Sequence, residues 1–229
     1  VDVARNAATM SGREHLTLSS GDNFLAGPEF SAGLNRANGP FYDAMALAAI
    51  DYDAICLGNH DFDFGPGLLA DFINDVNGIN STPYLSSNLD FSTEPALAGL
   101  ASNGDIASST VVNKGGEMIG IVGATTPQLA NISSPGQITI NTDVVSAVQS
   151  EINTLLGQGV DKIVLISHLQ GVSEDTALIA QLTGVDVAIA GGGDELLGDA
   201  NTLLVPGDGP ASGPYPLTKT DAAGRTVYI

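Results

Sequence analysis

The chain has 229 residues, enough to bury a full core in one or two domains, and its hydrophobic fraction of 43% argues against disorder. Its 26 acidic residues against 7 basic ones leave a formal charge of −19, which makes nucleic acid and anionic membrane surfaces poor partners and cations better ones. A single cysteine, Cys56, excludes an internal disulfide, and no stretch approaches the ~18 apolar residues of a membrane span.

In chain order, VDVARNAATM (1–10) reads as a helix with an exposed and a buried face. HLTLSS (15–20) is the first short apolar run and fits a buried strand. GPFYDAMALAAI (39–50) reads as a helix with Pro40 in its first turn. YDAICLG (52–58) is a second strand, and Cys56 within it reads as a buried, inert thiol. GPGLLADFINDV (65–76) repeats the Gly-Pro opening of a helix, and TVVNKGGEMIGIVG (110–123) predicts a hairpin around Lys114-Gly115-Gly116. TDVVSAVQSEINTLLGQG (142–159) predicts a helix capped by Thr142 or Asp143 and closed by glycine. KIVLISH (162–168) and VDVAIAG (185–191) are two more strands, with SEDTALIAQLTG (173–184) between them as a helix capped by Ser173. GDGPASGP (207–214) is a loop by composition, and YPLTKTDAAGRTVYI (215–229) predicts a second hairpin. Strands alternating with helices predict an α/β layer structure with largely parallel pairing. Both ends carry apolar helix or strand material, so the 229 residues read as a fragment of something larger.

Each of the four apolar runs finishes in a side chain that can bind a metal: Asp22 after the first, Asn59-His60 with Asp61 and Asp63 after the second, His168 after the third, and Asp194-Glu195 after the fourth. In open α/β sheets, ligands bind beyond the carboxyl ends of parallel strands. Strands that deliver Asp22, Asn59, His168 and Asp194 to one edge would form a site for a hard-to-borderline cation. Carboxylate, amide oxygen and imidazole suit manganese, iron, zinc, magnesium or calcium better than soft copper, and these residues do not distinguish among them. Taken singly, each has a plainer reading: Asp22-Asn23 as a turn that bonds its own backbone, His168 as a satisfied buried histidine, Gly191–Gly193 as a loop. Four such residues at four strand ends are much harder to explain by accident. His15, at the other end of its strand, reads as a plain surface residue.

GNHDFDFG (58–65) resembles the GNH(E/D)FD signature of the metallophosphoesterases, and within them the 5′-nucleotidase branch. LSSGDNFLAGP (18–28) is similar to that branch's Gly-Asp motif, and VLISHLQG (164–171) to its strand-terminal single-histidine motif. VDVAIAGGGDELL (185–197) matches the segment that usually carries Gly-His-x-His, and GPYPLTKTDAAGRTVYI (213–229) resembles the stretch that follows. The resemblance implies a four-layer α/β/β/α metallophosphoesterase sandwich over residues 1–229 with two divalent metal ions. Asp22 would bridge the ions and Asn59 and His168 would ligate the second. His60 would face the phosphate, with Asp63 orienting it. The implied activity is hydrolysis of phosphate monoesters, above all 5′-nucleotides, by a hydroxide bridging the metals, in the periplasm or outside the cell.

Two departures from the family stand out. Its opening Asp-x-His strand, which precedes the helix containing Ala4-Arg5-Asn6-Ala7, is not among these residues, and nothing here corresponds to its C-terminal substrate-binding domain. Gly192 and Asp194 stand in place of the two histidines of Gly-His-x-His: Gly192 cannot ligate, whereas Asp194 can, with Glu195 as a reserve. Competing readings are a catalytically degenerate cation-binding or structural module of a larger extracellular protein, and a nucleotide-sugar or cyclic-nucleotide hydrolase on the same scaffold.

Overall fold

The structure, a computed structural model, describes residues 1–34, 39–207 and 209–229. Among these residues, the first sheet is wholly parallel, in the order β1 (Leu18–Ser19), β2 (Ala54–Cys56), β3 (Tyr84–Leu85), β5 (Ile106–Ala107). The second runs β13 (Thr218–Thr220), β14 (Thr226–Tyr228), β10 (Val187–Gly191), β9 (Lys162–His168), β7 (Glu117–Thr125), β6 (Ser109–Lys114). Within it β7, β9, β10 and β14 are parallel, and β6 and β13 are joined antiparallel as the two predicted hairpins. Two short ribbons complete the strands, β4 (Leu89–Asp90) with β8 (Thr139–Ile140) and β11 (Leu197–Gly198) with β12 (Gly213–Pro214). The helices are α1 (Asp2–Met10), α2 (Pro28–Gly33), α3 (Tyr42–Ile50), α4 (Gly65–Asn77), α5 (Ala98–Asn103), α6 (Leu129–Ile132), α7 (Val144–Gly157) and α8 (Val172–Ile179).

Three apolar layers show how the sheets stack. Successive strand residues point to opposite faces. On β2, Ile55 joins α3 and α4 in one helix-backed core, whereas Ala54 and Cys56 face the other way. On β9, Ile163 and Leu165 pack with α7 and α8, whereas Ile166 faces β2. The middle layer consists of Ala54, Cys56, Leu85, Ile121 and Ile166, joining sheet to sheet. The order is therefore helix, sheet, sheet, helix. Phe24, Phe30, Phe41 and Phe72 stack in the first helical layer with ring centroids 4.5–6.3 Å apart. Cys56 is fully buried, and desolvation pushes its thiol up to about 12, which fits an inert packing residue.

Three local expectations need correction. Pro40 precedes α3 rather than opening it, because the Phe41 amide donates to Asp75 Oδ2 (2.8 Å) and holds residue 41 extended. Ser173 lies inside α8; the helix starts a residue earlier, with the Gly171 carbonyl accepting from Glu174 N at 2.9 Å. The stretch 207–214 is not all loop, since Gly213–Pro214 pairs with Leu197–Gly198; Asp208 lies outside the described residues. Of the two offered caps for α7, Asp143 is the one used, accepting from Ser146 N at 3.0 Å.

Candidate active site

The carboxyl ends of β1, β2, β9 and β10 meet at one rim. Register places Thr125, His168 and Gly191 side by side across the second sheet. The chain leaving β1 turns at Asp22, whose φ of 54° is left-handed, a conformation that aspartate tolerates better than most residues. This turn aims Asp22 across the gap between the sheets, so that Oδ2 lies 3.1 Å from His168 Nε2 while Oδ1 accepts from the His60 amide at 2.8 Å. Gly58 makes the approach possible, because a β-carbon there would overlap Asp22 Oδ1. The residues brought together from far apart in sequence, Asp22, Asn59, His60, His168 and Asp194, line one open pocket of about 400 Å³ with Gln170.

His168 carries the informative detail. Its Nδ1 lies 2.6 Å from the Ser20 carbonyl, an acceptor only, so Nδ1 must hold the proton. Its Nε2 is buried, with Asp22 Oδ2 at 3.1 Å as the polar neighbour it faces. In the neutral ring, a lone pair then faces the Asp22 carboxylate. A buried acceptor this close to a half-buried carboxylate calls for a positive charge between or beside them, either a proton or a cation. Without a cation, burial pushes His168 down but the Asp22 bond and charge overcome it and raise its pKa. Burial likewise pushes Asp22 up, and the bond and charge of His168 together with the amide and charge of His60 outweigh it, leaving the carboxyl below its ordinary value. Asn59 adds an amide oxygen, held by Gln170 Nε2 at 3.1 Å. Among the described residues no three His, Cys, Asp or Glu side chains converge on one point, so a cation here depends on Asn59 as well.

His60 and Asp63 form a pair with Nδ1 to Oδ2 at 2.6 Å. The local reason is the 3₁₀ turn over His60–Phe62, in which residues three apart eclipse one another. The Asp63 bond raises the His60 pKa. The same turn sends Asp61 inward. Asp61 is 1% exposed and accepts from Gly58 N (2.7 Å), Asp22 N (3.2 Å) and Asn23 N (3.2 Å), tying the end of β2 to the turn after β1. Burial lifts its pKa to about 6.

No family model matches the chain. The 5′-nucleotidase of Diplobatis ommata is 37% identical over 193 residues, which are 81% of this chain and 30% of that protein. A snake venom 5′-nucleotidase from Crotalus adamanteus is 33% identical over 224 residues, 95% of this chain and 34% of the relative. The crystal structure of a 5′-nucleotidase precursor from Thermus thermophilus superposes with a TM-score of 0.82 at 34% identity, covering 98% of this chain and 40% of that one. The chain is a 5′-nucleotidase-like metallophosphoesterase domain. It spans about a third of the length of the curated relatives it matches. The expected sandwich and the expected branch of the family both hold.

The departure from this family at Gly192 is more than a lost side chain. Gly192 has φ 86°, and a β-carbon there would run into the Leu169 carbonyl oxygen. The backbone occupies the space a side chain would need, so a histidine here would force the Leu169 carbonyl to shift. Gly192→Ala is expected to cost at least about 2 kcal/mol in urea unfolding, because strain and overlap add. Asp194 lines the pocket, but Glu195 does not serve as its reserve: it lies against Gly171 and Gly193 and faces a separate cavity.

Behind His168, Asp175 is 1% exposed and accepts from Ser167 Oγ at 2.5 Å, while Oδ2 has no partner. Sequence reading assigned it no role; its place in the first buried turn of an apolar helix was the available signal. Burial raises its carboxyl from 3.8 to about 7. The folded state then holds a proton that the unfolded chain releases, so this group's stability is present in acid and is lost as pH rises from about 4 to about 7. The stability gain of Asp175→Asn over the parent is expected to grow by roughly 2 kcal/mol between pH 5 and pH 8, read by denaturant unfolding at each pH.

Proposed function

We propose that the domain hydrolyses phosphate monoesters with divalent cations at this pocket, and that 5′-nucleotides are its substrates. The observation that carries the reading is the buried His168 Nε2 aimed at the Asp22 carboxylate at the mouth of a pocket that Asn59 also lines, a donor set that a divalent cation satisfies. Asp22, Asn59 and His168 would hold the metal, and Asp194 lines the same pocket on the loop after β10 without converging with Asp22 and His168 on one point. Divalent cations there supply Lewis acidity toward phosphoryl oxygens and an ionised water at neutral pH. The remaining work falls to the chain. His60, held by Asp63, would face the phosphoryl group and, when protonated, would stabilise its developing charge or return a proton to the leaving oxygen. Relatives named as venom proteins support action outside the cytoplasm, and among the described residues no helix is long and apolar enough to cross a membrane. The nucleotide preference rests on the names of the relatives.

The test uses the protein at its full encoded length. Phosphate release from p-nitrophenyl phosphate and AMP is measured with added Mn²⁺ or Zn²⁺, beside Asn59→Ala and His168→Ala. Metal-dependent release by the parent, with turnover and bound metal both falling about 10-fold or more in each variant, is the expected result. A parent without turnover in any metal would defeat the reading.

A further inference from the structure

The Asp63 carboxylate has a second partner from a distant part of the chain. Ser133 Oγ lies 3.0 Å from Asp63 Oδ1, on the oxygen that His60 does not use. We propose that Ser133 is a positioning residue of the His60–Asp63 pair, fixing the carboxylate plane so that Oδ2 meets His60 Nδ1 and Nε2 is left for the pocket. The proposal rests on the phosphomonoesterase reading of that pocket.

The Ser133 hydroxyl is anchored by its surroundings. Ser133 caps α6, whose Leu129 is fully buried, and its amide donates to the Leu129 carbonyl at 3.0 Å. The following loop is clamped from the other side. The Gln137 amide donates to Glu94 Oε2 at 2.8 Å, Thr93 Oγ1 donates to the Gln137 carbonyl at 2.6 Å, and Gly136 sits against Glu94 and Pro66. Pro66 opens the helix that begins two residues after Asp63, so the loop bearing Ser133 and the turn bearing Asp63 are pressed together. A carboxylate held at both oxygens has one orientation, whereas one held only by His60 can rotate about its own axis. Rigid outer partners of this kind are what hold a catalytic group within a few tenths of an ångström of its working position.

The experiment compares Ser133→Ala and Ser133→Thr with the parent at full length. With p-nitrophenyl phosphate and Mn²⁺, Ser133→Ala is expected to lower kcat about 10-fold with KM and bound metal unchanged, and Ser133→Thr, which keeps the hydroxyl, to recover most of it. A kcat within about twofold of the parent, or a loss shared by Ser133→Thr, would overturn the proposal. A second measurement needs no turnover. Long-range ¹H–¹⁵N spectra report the ring, with the His60 signals assigned by their loss in His60→Gln. In alkaline buffer, where the ring is neutral, the parent is expected to show His60 as a single Nδ1–H tautomer and Ser133→Ala a tautomer mixture; an unchanged spectrum would overturn the proposal even if the parent hydrolyses nothing.

Discussion

Replacing His60 with alanine is expected to lower kcat for phosphate esters by about 10²- to 10⁴-fold, the range for a positioned acid or charge stabiliser. Bound metal should stay near the parent level. The reason is placement. His60 lines the pocket, but its Nδ1 is committed to Asp63, and it is the His60 backbone amide, not the ring, that touches Asp22. Alanine keeps that amide. Asn59→Ala and His168→Ala remove candidate ligands and should lose metal and turnover together. Paired measurement of kcat and metal by mass spectrometry separates the cases, and equal metal loss in all three would contradict the role given to His60.

The largest stability effect is expected at Asp61. Alanine there strands three amides, those of Gly58, Asp22 and Asn23, around a carboxylate that is 1% exposed. Buried donors left unpaired cost about 1–3 kcal/mol each, and partial relaxation brings the sum to about 3–5 kcal/mol. The left-handed turn at Asp22 also loses its clamp, so turnover should fall although Asp61 points away from the pocket. Urea unfolding of Asp61→Ala reads the first effect; a loss below about 1 kcal/mol would mean that the amides find other acceptors.

Most of the architecture was legible because its signals are local. Strand runs at 162–168 and 185–191, the Gly-Gly hairpin after Lys114 and the Asp143 cap needed no tertiary information. The pairing of His60 with Asp63 followed from the family resemblance, and a three-residue step in a tight turn accommodates it. What was not legible depends on distant partners. Pro40 looked like a helix opener until Asp75 claimed the next amide. Glu195 looked like a neighbour of Asp194, but consecutive side chains on a turn diverge, and it fell on the other side of the loop. Ser133 and Gln170 carry no sequence mark; only coordinates show that one touches Asp63 and the other Asn59. Asp61 was readable in principle, because a 3₁₀ turn that aligns residues 60 and 63 must send residue 61 elsewhere.

The thinness of the middle layer has a thermal consequence. Among the described residues, five fully buried side chains, flanked by partly buried Leu16, Leu18, Ala107, Val112 and Val164, hold the two β-halves face to face, whereas each half has its own larger helical backing. Asp22 stands on one lip of that seam and His168 on the other. A small solute gripping both would rivet the halves together and add its binding free energy to their cohesion, about 2.7 kcal/mol at a hundredfold excess over its Kd. Melting curves recorded across a concentration series would then rank candidate occupants by affinity without a single catalytic cycle.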